Sequence, residues 1–325
     1  MDVSPLTWWV TVGALAAFLV VDIAVIGRRP HVPGLRECVV ALSFFVGLAV
    51  IFGLWVWWSA GGQYAGEFFA GWLTEYSLSV DNLFVFLLIM RKVLVPAKYQ
   101  QTALLAGIVI AIVLRGIFIA LGAAVINQYA WVFYLFGLFL IYTAVKLARE
   151  GPDSDDDFEE NRFLRWVERR FPVASDYNGT RLTVREAGSR LLTPLFIVIL
   201  ALGTTDLLFA LDSIPAIYGL TSEPYLVLTA NIFALMGLRQ LYFLIGGLLE
   251  RLVYLSTGLA VLLAFIGVKL FLHAMHENTL PFVNGGEHIS WAPDIPIWVS
   301  LVVIVGTLAV TTGLSLAADR RRTPV

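Results

Sequence analysis

The sequence predicts an all-α polytopic membrane protein of nine transmembrane helices around two inverted three-helix repeats. Three observations carry this. Of 325 residues, 59% are apolar and only 14% charged, against about 25% charged in ordinary soluble domains. Nine runs of about 20 apolar residues, each long enough to cross a bilayer, follow one another along the chain. The links between them alternate in Lys and Arg content. So little polar surface cannot cover a water-soluble globule. The same composition excludes a disordered or collagen-like chain and a nucleic-acid-binding protein, and the single cysteine, Cys38, excludes a disulfide scaffold or a thiolate metal site.

The runs fall at about 6–27, 38–59, 67–90, 99–125, 129–148, 194–217, 225–247, 252–273 and 296–317. The first lacks the basic flank and cleavage site of a secretory signal, so it is read as a retained anchor. Odd-numbered links hold Arg28, Arg29 and Arg36, then Arg91, Lys92 and Lys98, then many arginines, then Arg251, and the tail adds Arg320, Arg321 and Arg322; even-numbered links hold no Lys or Arg. Basic short loops stay cytoplasmic. The expected topology is therefore a multi-pass protein of the bacterial plasma membrane, N-terminus outside and C-terminus inside. The parts expected are peripheral helices over 1–66, a first repeat over 67–148, a charged cytoplasmic loop over 149–193, a second repeat over 194–273, an external loop over 274–295, and a last helix with a basic tail over 296–325.

Charge concentrates in 149–190, which holds 18 of the 46 charged residues. Its acidic core, Asp153–Glu160, spaces oxygens like a metal loop but lacks the glycine and closing glutamate of an EF-hand, so a solvated linker is the simpler reading. Arg162–Phe171 alternates aromatics with arginines, as a segment lying on the inner leaflet would. This loop is also the natural docking place for secretion or metal-stress proteins. His273, His276, Glu277, Glu287 and His288 belong to an ordinary polar loop or collect metal at the external mouth.

The repeat is legible in three matches. Thr74-Glu75 precedes Asp81-Asn82 by six residues, and Thr205-Asp206 precedes Asp212-Ser213 at the same spacing. Leu114-Arg115-Gly116-Ile117-Phe118 corresponds to Leu238-Arg239-Gln240-Leu241-Tyr242-Phe243, and Ala144-Val145-Lys146-Leu147 to Gly267-Val268-Lys269-Leu270. Three spans reverse direction each time they are copied. Such inverted repeats place transporter sites near the midplane, with Arg115 expected in the outer and Arg239 in the inner part of their spans.

Ionisable groups in hydrocarbon are costly and mark function. Asp22, Glu75, Asp81, Asp206 and Asp212 lie within spans, against Arg115 and Arg239 as internal bases; Lys146 and Lys269 are near enough to span ends to snorkel. Ion pairing with the arginines accounts for two acids. The rest call for protonation or a bound divalent cation, which together describe a cation–proton exchanger. On an unbroken helix, positions six apart diverge by about 120°, so convergence of each acid pair on one ion requires unwinding between them; Gly203 and Pro215 offer this in the sixth span. Asn82, Asn231, Ser213, Thr204 and Thr205 complete an all-oxygen donor set that favours Mg, Ca or Mn over Zn or Cu. No nucleophile–base pair or phosphate-cradling loop occurs within the spans, so the chain does not read as an enzyme.

Glu75–Phe86 (EYSLSVDNLFVF), Leu211–Phe243 and Asp22-Ile23-Ala24-Val25-Ile26-Gly27-Arg28 resemble the hallmark segments of the TerC/Alx family of bacterial integral membrane proteins, over about residues 6–273. Ile26 departs from the aromatic usual there, and the tail is short and basic. The family is named for tellurium-resistance operons and belongs with the lysine-exporter-like superfamily; its better understood members act in manganese efflux. By resemblance, Glu75, Asp81, Asn82, Asp206, Asp212 and Ser213 map onto the family's motif acids and their neighbours, and Arg239 onto its Leu-Arg-x-Leu-Tyr run; the six are read as the metal site, with Asp22, Arg115, Asn231 and Arg239 in support. Mn²⁺ would be substrate and protons the coupling ion, with no prosthetic group. The rival expectation is a membrane partner that delivers metal to exported proteins or scaffolds a tellurite or metal-stress response without transport of its own. Tellurite export itself fits poorly, since acids repel an oxyanion.

Overall fold

The computed structural model describes residues 1, 3–28, 33–129, 131–150, 172–174, 177, 179–186, 189–245, 254–276, 278, 280, 284, 287, 289, 291–293 and 295–322. It is almost wholly helical. The helices are α1 Pro5–Arg28, α2 Leu35–Ala60, α3 Gly62–Lys92, α4 Ala97–Gln128, α5 Val132–Glu150, α6 Pro194–Tyr218, α7 Pro224–Met236, α8 Leu238–Ile245, α9 Leu255–His276 and α10 Ile297–Arg322, with a hairpin of β1 Thr183–Glu186 and β2 Ser189–Leu192 between α5 and α6. Among the described residues seven stretches are long and apolar enough to cross a membrane: α2, α4, α5, α6, α7 with α8, α9 and α10. Two expected spans are absent from that set. The apolar part of α1 is shorter, Pro5–Val21, and α3 carries Glu67, Glu75 and Asp81 along 31 residues, about 46 Å of helix.

Apolar side chains on the outside of the bundle give it the surface of a membrane protein. Trp58, Val113, Leu121, Leu138, Val302 and Leu314 are all more than half exposed, on α2, α4, α5 and α10, where a soluble protein would present polar residues. The opposite pattern marks the centre. α6 buries residues all round its circumference, as a helix enclosed by others does, and α7 is buried from Tyr225 to Met236 except for Leu228.

Three apolar clusters hold the bundle. One joins Leu83–Met90 of α3, Ala103–Ile108 of α4, Leu195–Leu202 of α6 and Leu235–Tyr242 of α7 and α8. A second joins Ile119 and Ile126 of α4, Phe133–Ala144 of α5, Ala210–Leu220 at the far end of α6 and Leu262–Ala274 of α9. The third packs Leu15 of α1 and Phe45–Val56 of α2 on Ala65–Trp72 of α3 and Tyr225–Met236 of α7. Small residues allow close approach: at Gly53 a β-carbon would enter the ring of Phe69. α5 and α9 cross with backbones touching, since a β-carbon at Gly137 would stand 2.9 Å from the Gly267 carbonyl and one at Gly267 equally close to the Gly137 carbonyl. Small residues at crossing points are how helices pack without a hydrophobic drive between them.

The segment read as a solvated linker contains ordered structure near its end. β1 and β2 pair antiparallel, Thr183 with Leu192 and Glu186 with Ser189. Val173 bridges to Leu192 in parallel. The Tyr177 hydroxyl donates to the Val93 carbonyl at 3.0 Å and its ring stacks on Tyr99, tying the segment to the α3–α4 turn. Thr193 then caps α6, accepting from the Phe196 amide while donating to the Arg181 carbonyl, with Pro194 in the first helical turn. This is the arrangement that satisfies a helix start. The acidic run 153–160 and the aromatic–arginine run 162–171 lie outside the described residues.

Candidate functional site: a charged node inside the bundle

Three ionisable side chains meet near the middle of α3, α4 and α6. Glu75 is fourteenth of 31 residues in α3, Arg115 nineteenth of 32 in α4, and Asp206 thirteenth of 25 in α6. Each lies between apolar cluster residues on both sides: Trp72 and Leu83 flank Glu75, Ile108 and Ile119 flank Arg115, and Leu202 and Ala210 flank Asp206.

The node is dry. Side-chain exposure is 1% for Arg115, 0% for Glu75 and 2% for Asp206. Arg115 holds Asp206 with a two-pronged grip, Nε to Oδ2 at 2.8 Å and Nη2 to Oδ1 at 3.0 Å. Its Nη1 pairs with Glu75 Oε1 and donates to Ser213 Oγ at 3.3 Å. The planar fork of arginine suits such bidentate recognition. Two carboxylates and one guanidinium leave a formal charge of −1, which in a low-dielectric interior is a strong field for cations.

Helical phase explains which residues converge. Asp206 and Ser213 are seven apart, two turns, and share a face of α6. Glu75 and Asn82 have the same relation on α3, and Asn82 is buried. Asp212 is turned away by about 100° from Ser213. It is half-buried and accepts from Thr143 Oγ1 of α5 at 3.2 Å. Unwinding between paired acids does not occur: α3 and α6 are helical throughout. The break lies instead at Gly237 between α7 and α8, two residues before Arg239. Arg239 is buried and lines narrow clefts with Glu37, Gln101 and Gln240 and with Phe45, Ile108 and Met236. Asn231 of α7 is buried, and its amide nitrogen has no hydrogen-bond partner among the described residues. The same holds for the hydroxyls of Thr74, Ser77 and Ser79 on α3. The side chains of Asp22 and Asp81 lie outside the described residues.

Two residues of this region escaped the sequence reading. Thr143 looked like one more hydroxyl in an apolar span until α5 packed beside Asp212. Glu67 looked like a flank, because the apolar run begins there; α3 in fact starts five residues earlier. Glu67 is buried, accepting from Thr221 Oγ1 at 2.7 Å and from Gln63 at 3.2 Å. It lines a cleft of about 630 Å³ with Glu223, Lys269 and His273.

Could the node hold a metal ion? Carboxylates from two helices face one point, with a serine hydroxyl beside them, which are hard oxygen donors of the type that bind Mn, Mg or Ca. Among the described residues no three His, Cys, Asp or Glu side chains cluster closely enough to hold an ion; the guanidinium occupies the place between the two acids.

The integral membrane protein TerC family model matches residues 60–323, spanning every helix of the node. The chain belongs to the TerC family. Similar relatives run nearly its whole length. An uncharacterized membrane protein of Mycobacterium tuberculosis (strain ATCC 25618 / H37Rv), Rv2723, is 47% identical over 99% of this chain and 82% of its own. A membrane protein of Myxococcus xanthus, STKORF319, is 38% identical over 98% of this chain and 94% of its own. A proposed membrane-bound redox modulator of Escherichia coli (strain K12), Alx, is 35% identical over 95% of this chain and 93% of its own. No solved structure matches. Two of the segments that carry the family resemblance feed the node: Glu75–Phe86 supplies Glu75 from α3, and Leu211–Phe243 supplies Ser213 from α6.

Proposed function

We propose that this TerC family protein exports a divalent cation, Mn²⁺ foremost, across the bacterial plasma membrane in exchange for protons. The observation that carries the reading is the meeting of Glu75 and Asp206, buried and from different helices, at one point midway through an apolar bundle. Structural ion pairing alone is a poor reason to retain it, because buried pairs rarely stabilise more than a well-packed apolar replacement. Carboxylates are selected by a hard cation, and the same oxygens accept protons when it leaves.

An inverted repeat supports alternating access. Glu75 and Asp206 match in sequence and sit at similar depths in α3 and α6. The α5–α9 crossing is consistent with it: Gly137 meets Gly267, and the matches around Lys146 and Lys269 put Ala144 and Ala260 at the corresponding symmetric positions. With the N-terminus outside, the cleft at Glu67 and Thr221 opens to the exterior and serves as the exit, and Arg239 lies toward the cytoplasm. Asp212, next to Ser213 and held by the neutral Thr143 hydroxyl, is the acid placed to exchange protons. Asp22 and Asp81 complete the acidic set in the sequence.

A second reading rests on the segment before α6: the docking of Tyr177 on the α3–α4 turn, close in sequence to the hairpin, offers a surface through which a secretion or metal-stress partner would sense the bundle.

The test is metal-dependent stabilisation of the purified protein. Mn²⁺ at about 100 times its Kd adds about 2.7 kcal/mol. The account expects a larger rise in melting temperature with Mn²⁺ than with Mg²⁺, Ca²⁺ or Zn²⁺, lost in Glu75→Gln and Asp206→Asn. No rise with any of the four overturns it.

A further inference from the structure

We infer that Arg115 is a tethered internal cation that competes with the transported ion for Glu75 and Asp206, keeping monovalent cations out and helping to expel the divalent one. The inference rests on the export reading above and concerns how its site is controlled.

The geometry is that of a ligand in its site. Both Asp206 oxygens are taken, by Nε at 2.8 Å and Nη2 at 3.0 Å. Nη1 serves Glu75 and Ser213 together. The donors that would surround a metal thus point at one guanidinium, which is 1% exposed. A cation bound directly to both carboxylates must enter the volume that guanidinium fills. Arginine does not lose its proton, so it cannot yield by neutralising; it can only be displaced along its side-chain torsions, and it remains attached to α4, ready to return.

Charge then sets selectivity. A monovalent ion replacing the guanidinium brings the same charge and loses the two-pronged geometry, so it gains nothing. A divalent ion brings twice the charge to the same two carboxylates. The competition also lowers apparent affinity: if the carboxylates are free of Arg115 for a fraction f of the time, the apparent Kd rises by 1/f. A carrier needs a site strong enough to fill and weak enough to empty, and a returning guanidinium supplies the second half. A merely structural arginine would orient the carboxylates for the metal, and its removal would weaken binding. Competition predicts the opposite sign.

The experiment is calorimetric titration of Mn²⁺ into the full-length purified protein, with and without Na⁺, for wild type, Arg115→Gln, Arg115→Lys and Asp206→Asn, alongside Mn²⁺ efflux from proteoliposomes. The expected result is about tenfold or more tighter Mn²⁺ binding by Arg115→Gln, as f of about 0.1 or less requires, together with new competition by Na⁺ and slower efflux. Arg115→Lys keeps the charge without the fork and falls between. Should Arg115→Gln fail to fold, the lysine variant decides alone: tighter binding with Na⁺ sensitivity supports the inference, and unchanged or weaker binding overturns it. If wild type binds Mn²⁺, Asp206→Asn does not, and folded Arg115→Gln binds no tighter, the competition is wrong and the export site stands. If neither wild type nor Arg115→Gln binds Mn²⁺, both fall.

Discussion

Arg115 and Arg239 come from matching sequence runs and end in different surroundings. Arg115 lies inside α4, an unbroken helix of 32 residues, and is gripped by Asp206, Glu75 and Ser213. Arg239 lies in the first turn of an eight-residue helix, just past the break at Gly237, and lines narrow clefts with Glu37, Gln101 and Gln240. One arginine is locked among carboxylates by three helices; the other sits where a helix is already interrupted. Residues from matching sequence runs need not do equivalent work. Packing assigns the first to the central site and leaves the second beside a joint.

The largest effect should come from breaking the locked arginine's main partner. Asp206→Asn leaves Arg115 paired with Glu75 but loses the two-pronged grip and should cost about 2–3 kcal/mol, read as a lower melting temperature in detergent. A loss under about 1 kcal/mol would mean the grip is not the stabilising contact its geometry implies.

The joint beside Arg239 offers the next test. At Gly237 a β-carbon would stand 2.9 Å from Tyr76 Oη and 3.1 Å from Leu42 Cδ1, so Gly237→Ala should destabilise by about 1–2 kcal/mol through overpacking. A gain in stability, as expected for alanine in an unconstrained helix, would show that the break is not held by close packing.

Thr143→Val asks which side Asp212 belongs to. Removing the hydroxyl that donates to Asp212 should cost about 1 kcal/mol and shift the pH dependence of Mn²⁺ efflux, while Mn²⁺ affinity changes little. A loss of affinity as large as that of Asp206→Asn would move Asp212 into the ion's direct coordination.

The smallest change in affinity is expected at Arg239. If the two arginines are energetically separate, Arg239→Gln should alter the Kd for Mn²⁺ by less than about twofold while lowering the efflux rate. An affinity gain matching that of Arg115→Gln would make the arginines equivalent after all.

Much of this was legible in the sequence because hydrophobic length and charge placement are local properties. The expected run 194–217 became α6 Pro194–Tyr218, and 38–59 became α2 Leu35–Ala60. Glu75, Asp206 and Ser213 stood out as polar residues in apolar spans, and they do meet. The unwinding that would let each acid pair converge on one ion does not occur in α3 or α6. The six-residue spacing drew attention to Glu75–Asp81 and Asp206–Asp212 as pairs within helices, whereas convergence runs between helices, one acid from each, through Arg115. No periodicity within one span reveals which neighbour it will face. The Gly237 break was hidden for a similar reason: the atoms a β-carbon there would meet belong to Tyr76 and Leu42, residues distant in sequence. Glu67 was overlooked because helix α3 extends beyond its apolar run, and hydropathy sees only the run.

The most direct test of export through the Glu75–Asp206 site is Mn²⁺ flux in proteoliposomes under an imposed pH gradient. Wild type should move Mn²⁺ against its gradient when protons flow the other way, and Asp206→Asn and Asp212→Asn should abolish that flux while remaining folded. Unchanged flux in the folded Asp206→Asn protein, or no proton-driven flux in wild type, would contradict the account.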